Sequence, residues 1–238
     1  MPLLEVSVLH PRDADAAARG EADRLLLLAD PVAGGRTPEP GAVSAVVRET
    51  DLPVRVLIRD DAPVDDPDRV ARATATAAMF LDLGAAGVSV GLLDRDLEID
   101  RAACSAIAAG LGGTGWTFHR AFDEALVTDR AWRHVLDLPG LDAVATAGST
   151  RGLGAGGEEL LALVRRDPRI AGLVLASGDL RAEYVPWLLR AGVAQFGLGA
   201  EARPDGSWDK AYVDAGTVRA WRLLLDDAHQ RALGVPVD

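Results

Sequence analysis

Short apolar runs recur along the chain at residues 3–9, 24–29, 54–59, 87–92, 116–119, 143–146, 173–176 and 195–198. Between them, apolar positions fall at the three- and four-residue spacing of amphipathic helices, at about 13–19, 38–50, 68–83, 100–109, 129–136, 158–165, 181–191 and 213–232. Such alternation is what parallel strands joined by crossover helices require. Eight strands with a helix after each, in a chain of 238 residues, predict a single (β/α)8 TIM barrel forming one domain over 1–238. The rival, an open doubly wound sheet, would need fewer strands or a second domain, and the first βα turn has no GxGxxG fingerprint.

Local signals agree with this reading. Thr37 before Pro38, and also Asp100 and Thr128, stand where a side-chain oxygen could cap a helix start. Gly84, Gly110 and Gly192 mark expected helix ends, where a left-handed residue is favoured. The glycine-rich stretch 152–157 lacks the GK[ST] ending of a phosphate loop and reads as a flexible lid or connector.

Composition narrows the partners. Hydrophobic residues make up 49% of the chain but aromatics only 5%, so the core must be built from Ala, Leu and Val. A formal charge of −11 with no basic run repels phosphate backbones and anionic membrane surfaces, which argues against nucleic acid and membrane as partners. Cys104 is the only cysteine, so no intrachain disulfide forms. Residues 1–9 show no basic leader, and no apolar run is long enough to span a bilayer. A cytoplasmic location is expected.

In a β/α barrel, chemistry gathers at the carboxyl ends of the strands, and strand parity identifies the inward side chains. Glu5 and Ser7 share a parity, as do Arg55 and Arg59, and Thr117 and His119. These sets are expected to face the interior, bringing Glu5, Arg59 and His119 together at the mouth. They would suit a small polar or anionic ligand, with His119 as proton carrier and Glu5 beside it. A plain alternative is a buried Glu5–Arg59 pair that satisfies two internal charges. Ser177, Gly178 and Gly199 follow the last two strands, where many barrels hold a phosphate on backbone amides, although tight turns need the glycines anyway. The acidic run 60–66 reads as a solvated loop, with a hard-cation site as the alternative. Trp132, Trp187, Trp208 and Trp221 are expected to cover barrel helices or a subunit contact.

The segment WTFHRAFD at 116–123, AGGRTP at 33–38, the opening LLEV, ADR at 22–24, GLLD at 91–94 and LRAE at 180–183 together resemble the CutC family, named for copper homeostasis. The resemblance runs in order from 3 to about 200, ahead of the C-terminal helix at 213–232, and TFHRAFD is its most specific piece. It implies a β/α barrel, a cytoplasmic homo-oligomer (dimer or tetramer), and an attributed role in copper handling without a defined reaction. Carried over by position, the family's strand-end set falls on Glu5, Arg59, His119, Arg120 and Asp123. Three positions depart: the family commonly has glutamate at Leu26, arginine at Asp61 and histidine at Gly197.

Copper, as a cofactor, is suggested by the resemblance alone. Cu(I) prefers thiolate and thioether, and the chain offers Cys104, Met79 and Met1, far apart in the eight-fold order. His10, His119, His134 and His229 show no HxH or HxxxH spacing. No metal ligand set is therefore expected, and Cys104 reads as a small core residue. Three functions follow. The first is a CutC-like protein binding a small polar or anionic ligand at the barrel mouth. Beside it stands a divergent, partly eroded lyase- or isomerase-type enzyme transferring a proton on a phosphorylated metabolite. The third is a non-catalytic copper-binding or interaction protein.

Overall fold

The computed structural model describes residues 1–59, 62–209 and 212–234. Strands β1 (Leu3–Val8), β2 (Arg24–Leu27), β3 (Val54–Ile58), β4 (Gly87–Val90), β5 (Trp116–Phe118), β6 (Leu141–Thr146), β7 (Val174–Ala176) and β8 (Gln195–Leu198) pair in sequence order. Every pairing is parallel, and β8 pairs back onto β1 through Glu5 and Gly197, which closes the barrel.

Helices α1 (Pro11–Arg19), α2 (Pro40–Glu49), α3 (Arg69–Asp82), α4 (Arg101–Gly110), α5 (Thr128–Val135) and α6 (Leu153–Arg166) form the outer layer with α7 (Pro168–Leu173), α8 (Val185–Arg190) and α9 (Ala215–Ala232). The short α7 was not expected from the sequence; Asp167 caps it by accepting from the Arg169 amide, ahead of Pro168.

Strand parity divides the core in two. Outward residues such as Leu4, Val6, Leu25, Val56, Val88, Phe118, Val144 and Phe196 join one large apolar cluster under the helices, whereas Ala143, Ala145 and Leu175 form a separate cluster inside the barrel. The rest of the lower interior is ionic. Arg24 reaches Glu5 at 2.6 Å, and Arg55 forks onto Asp142 while also donating to Thr117. Gln195 links the two groups, accepting from Arg24 and donating to the Asp142 carbonyl. A Cβ on Gly115 would collide with Asp142, so a glycine leaves room for this floor.

Several local expectations need correction. Thr37 does not cap α2, whose N-cap position is Glu39; its hydroxyl bonds Arg59 instead. Thr128 lies inside α5 and caps nothing, whereas Asp100 caps α4 by accepting from the Ala103 amide at 2.9 Å. Gly84 and Gly192 follow their helices with positive φ, but Gly110 is the last residue of α4, packed on Thr74 of α3. Residues 153–157 are not a connector: they open α6, and Gly156 and Gly157 are buried because a Cβ there would strike the Gly148 backbone and the Tyr184 ring. In the acidic run 60–66, Asp60 and Asp61 lie outside the described residues.

Candidate ligand site at the barrel mouth

A cavity of about 460 Å³ opens at the carboxyl ends of the strands. Glu5, Arg59 and His119 all line it, as do Arg120, Ser177, Gly178 and Gly199. The expected Glu5–Arg59 pair is absent. Glu5 is held lower down by Arg24, its neighbour in register, and Arg59 reaches Glu124 at 3.4 Å instead. Arg59 sits one residue beyond β3, too high to meet a side chain from the middle of β1.

The AGGRTP turn sets Arg59 in place. The Arg59 amide donates to Thr37 Oγ1 at 2.9 Å, and the same hydroxyl donates back to the Arg59 carbonyl at 3.0 Å. Arg59 Nη1 donates to the carbonyl of Gly34, whose φ of +84° favours glycine. This turn is therefore the backbone clamp of a cation at the cavity wall.

The HRAFD segment does the same for a second cation. Asp123 is not a cavity residue, which corrects its place among the ligand contacts: its side chain is 1% exposed and lines a separate hollow between α5 and α6. Its carboxylate accepts from Arg120 Nε at 3.0 Å, from the Ala147 amide at 3.1 Å and from the Thr146 hydroxyl. Burial raises the Asp123 carboxyl above its ordinary range, against these stabilising bonds. Asp123 thus fixes Arg120, whose guanidinium packs over Gly178, where a Cβ would strike it.

His119 is 6% exposed, and its Nδ1 accepts from the Ala121 amide at 3.1 Å. Burial, with the nearby Arg59 charge, pushes its pKa down to about 4. The ring is therefore neutral at physiological pH, with its proton on Nε2, the nitrogen left to the cavity. With Nδ1 engaged by the Ala121 amide, an Nε2–H can donate to a ligand oxygen.

Of the amides expected to hold a phosphate, that of Ser177 donates to the Thr146 carbonyl and that of Gly199 to Glu201. Glu201 Oε1 accepts from the Leu180 amide at 2.7 Å and Oε2 from the Gly199 amide at 2.6 Å, so one internal carboxylate ties together the loops after β7 and β8. Trp208 lines the mouth, rather than covering a barrel helix, and lies over Arg203, whose guanidinium carbon is 4.2 Å from the ring centroid; the subunit-contact alternative is untouched by this placement. Arg203 is fully buried on Asp13 and donates to the carbonyls of Ser7 and Gly199, bracing β1 against the last loop. Trp132 is buried beside Phe122, Trp221 packs partly buried on the core, and Trp187 is exposed under Arg190.

The residues sequence reading did not place at the site include Ser89, Asp179, Glu201 and Trp208 in the wall, and Arg24 and Asp142 in the floor. Ser89 was findable, since it alternates with Val88 and Val90 in β4 as Glu5 does in β1. Glu201 and Trp208 lie beyond the last strand, where parity gives no guidance.

Copper does not fit the described residues. Among them no three His, Cys, Asp or Glu side chains gather as a metal would need. Cys104 and Met79 sit on the neighbouring helices α4 and α3, but Cys104 is buried while Met79 is 39% exposed. The Cys104 thiol faces the Leu92 carbonyl, and burial pushes its pKa up to about 12.

The fold and site define a closed parallel β/α barrel with a polar cavity at the strand carboxyl ends. The CutC family model matches residues 2–201, and the chain belongs to the CutC family. The CutC family protein of Klebsiella pneumoniae strain 342 is 30% identical over 197 residues, covering 82% of this chain and 78% of that one. A CutC structure from Streptococcus agalactiae, assigned provisionally to copper homeostasis, superposes with a TM-score of 0.72 at 21% identity, covering 84% of this chain and 98% of its own. A Pseudomonas aeruginosa structure assigned provisionally as a dihydrodipicolinate synthetase shares the fold at TM-score 0.63 and 12% identity, over 98% of this chain and 80% of its own. No helix among the described residues is long and apolar enough to cross a membrane.

Proposed function

We propose that this CutC-family barrel binds a small polar or anionic molecule in its mouth cavity, and that its part in copper homeostasis runs through that molecule rather than through a metal held by side chains. One observation carries the reading: two arginines, Arg59 and Arg120, are each clamped by other residues at one polar cavity. Fixed cations over a concave site select anions, because their orientation is set before binding. Leu26, Leu28 and Leu57 supply an apolar wall. His119 would donate from Nε2 to a ligand oxygen, with Glu5, Ser177 and Gly178 completing the polar contacts and Gly199 serving only as wall. As a catalyst, His119 would act as an electrophile on a carbonyl, the way neutral imidazoles do elsewhere.

The protein is further proposed to be a single-domain cytoplasmic homo-oligomer, a dimer or tetramer, which analytical ultracentrifugation would report as such and not as a monomer. The experiment for the ligand is a thermal-shift screen of carboxylate, phosphorylated and neutral polyol metabolites on the parent and on Arg59→Met. Carboxylates should raise the parent's Tm and leave Arg59→Met unmoved. Equal shifts in both proteins, or no shift from any anion, contradict the reading.

A further inference from the structure

Ser89 stands apart from the other polar side chains of the barrel interior. It is 1% exposed and lines the mouth cavity, yet its hydroxyl has no hydrogen-bond partner among the described residues. A buried hydroxyl left unpaired is costly, and such groups are regularly satisfied by something the site holds. Its surroundings are specific. Ser89 is paired in register with Leu57 on one side and Thr117 on the other, so it lies beside Thr117 and one inward position below His119. Thr117 Oγ1 accepts from Arg55 and makes no bond to Ser89. On the opposite wall, Glu5 Oε2 is taken by Arg24.

A ligand oxygen seated at this depth meets the Ser89 hydroxyl, which both donates and accepts, and the Nε2–H of His119 just above it. A hydroxyl or carbonyl oxygen satisfies both. Leu57, in register with Ser89, supplies apolar wall together with Leu26 and Leu28, and Arg59, one inward position above Leu57, stands with Arg120 as a clamped guanidinium of the same cavity. An anionic end therefore belongs at the top. Glu201 competes with a phosphate there, since its carboxylate already holds the Gly199 and Leu180 amides.

We propose that Ser89 is the specificity-determining residue at the base of the cavity, and that with His119 it selects small hydroxy- or oxo-carboxylates. This inference rests on the mouth cavity being the ligand site; it adds which end of the ligand enters first and what that end must carry.

The test titrates malate against succinate, and glycerate against propionate, pairs in which the first member carries hydroxyl oxygen that the second lacks. Parent and Ser89→Ala are compared by calorimetry on the intact chain. The parent should prefer the hydroxylated member by about tenfold, and Ser89→Ala should lose that preference while keeping or raising its own Tm. A satisfied structural serine would give the opposite, a lower Tm with the preference unchanged, and would overturn the proposal. Equal binding of both members by the parent, abolished in Arg59→Met, overturns the role of Ser89 and leaves the mouth site standing. Binding of none of the four at millimolar concentration overturns the carboxylate class, and the broader screen then decides the mouth site separately.

Discussion

Arg24 donates from Nε to Glu5 at 2.6 Å, and both side chains are less than a tenth exposed. Neighbours in register on β2 and β1, they form one half of the ionic floor under the ligand cavity. Neutralising Glu5 strands a buried guanidinium, so Glu5→Gln should lower stability by about 3 kcal/mol. The double variant Glu5→Leu with Arg24→Met removes both charges and should recover most of that loss. Urea unfolding of the three proteins checks this, and a double variant no better than Glu5→Gln counts against it.

Strand parity made Glu5, Arg59 and His119 legible from the sequence, because an inward face in a barrel is fixed by a period of two. Partners were not legible. Whether Glu5 meets Arg59 or Arg24 depends on the stagger of neighbouring strands, which no single strand encodes. The TFHRAFD run pointed to the right place, but only packing separates His119 and Arg120 in the cavity wall from Asp123 behind it. Glu201 reaches its amides from a loop whose course is set by the Arg203–Asp13 brace, residues remote in sequence.

Glu201 stands where a phosphate would. Glu201→Ala leaves two amides unpaired and should cost about 2 kcal/mol. It should also gain a rise in Tm with inorganic phosphate that the parent lacks. A parent stabilised by phosphate as strongly as the variant would show that Glu201 does not exclude it.

His119 makes the fold sensitive to mild acid. Its pKa of about 4 in the folded protein lies below the ordinary 6.5, so the unfolded chain binds more protons between these values and stability falls as pH drops through that window. At pH 7 both states are neutral and the penalty is absent; near pH 4 it approaches an upper bound of about 3 kcal/mol. His119→Asn keeps an acceptor for the Ala121 amide but does not titrate. Its loss of stability between pH 6.5 and 4 should be smaller than the parent's by that order, measured by chemical denaturation. Parallel curves would place the imidazole in contact with solvent.

Cys104 is buried against the Leu92 carbonyl with its pKa pushed up to about 12, so it is almost wholly a thiol at neutral pH. It should react with a disulfide reagent only after unfolding. The native protein should hold no Cu(I) against a strong chelator, and Cys104→Ala should behave identically. A stoichiometric copper site lost in Cys104→Ala contradicts the metal-free reading.

A crystallographic fragment screen tests the central claim most directly, since it reports position without requiring the natural ligand. Small hydroxylated and carboxylated fragments should collect in the mouth cavity, with an oxygen near Ser89 and His119 and the charged end toward Arg59 or Arg120. Fragments that leave this cavity empty and gather instead in the hollow between α5 and α6, lined by Asp123 and Trp132, would contradict the account.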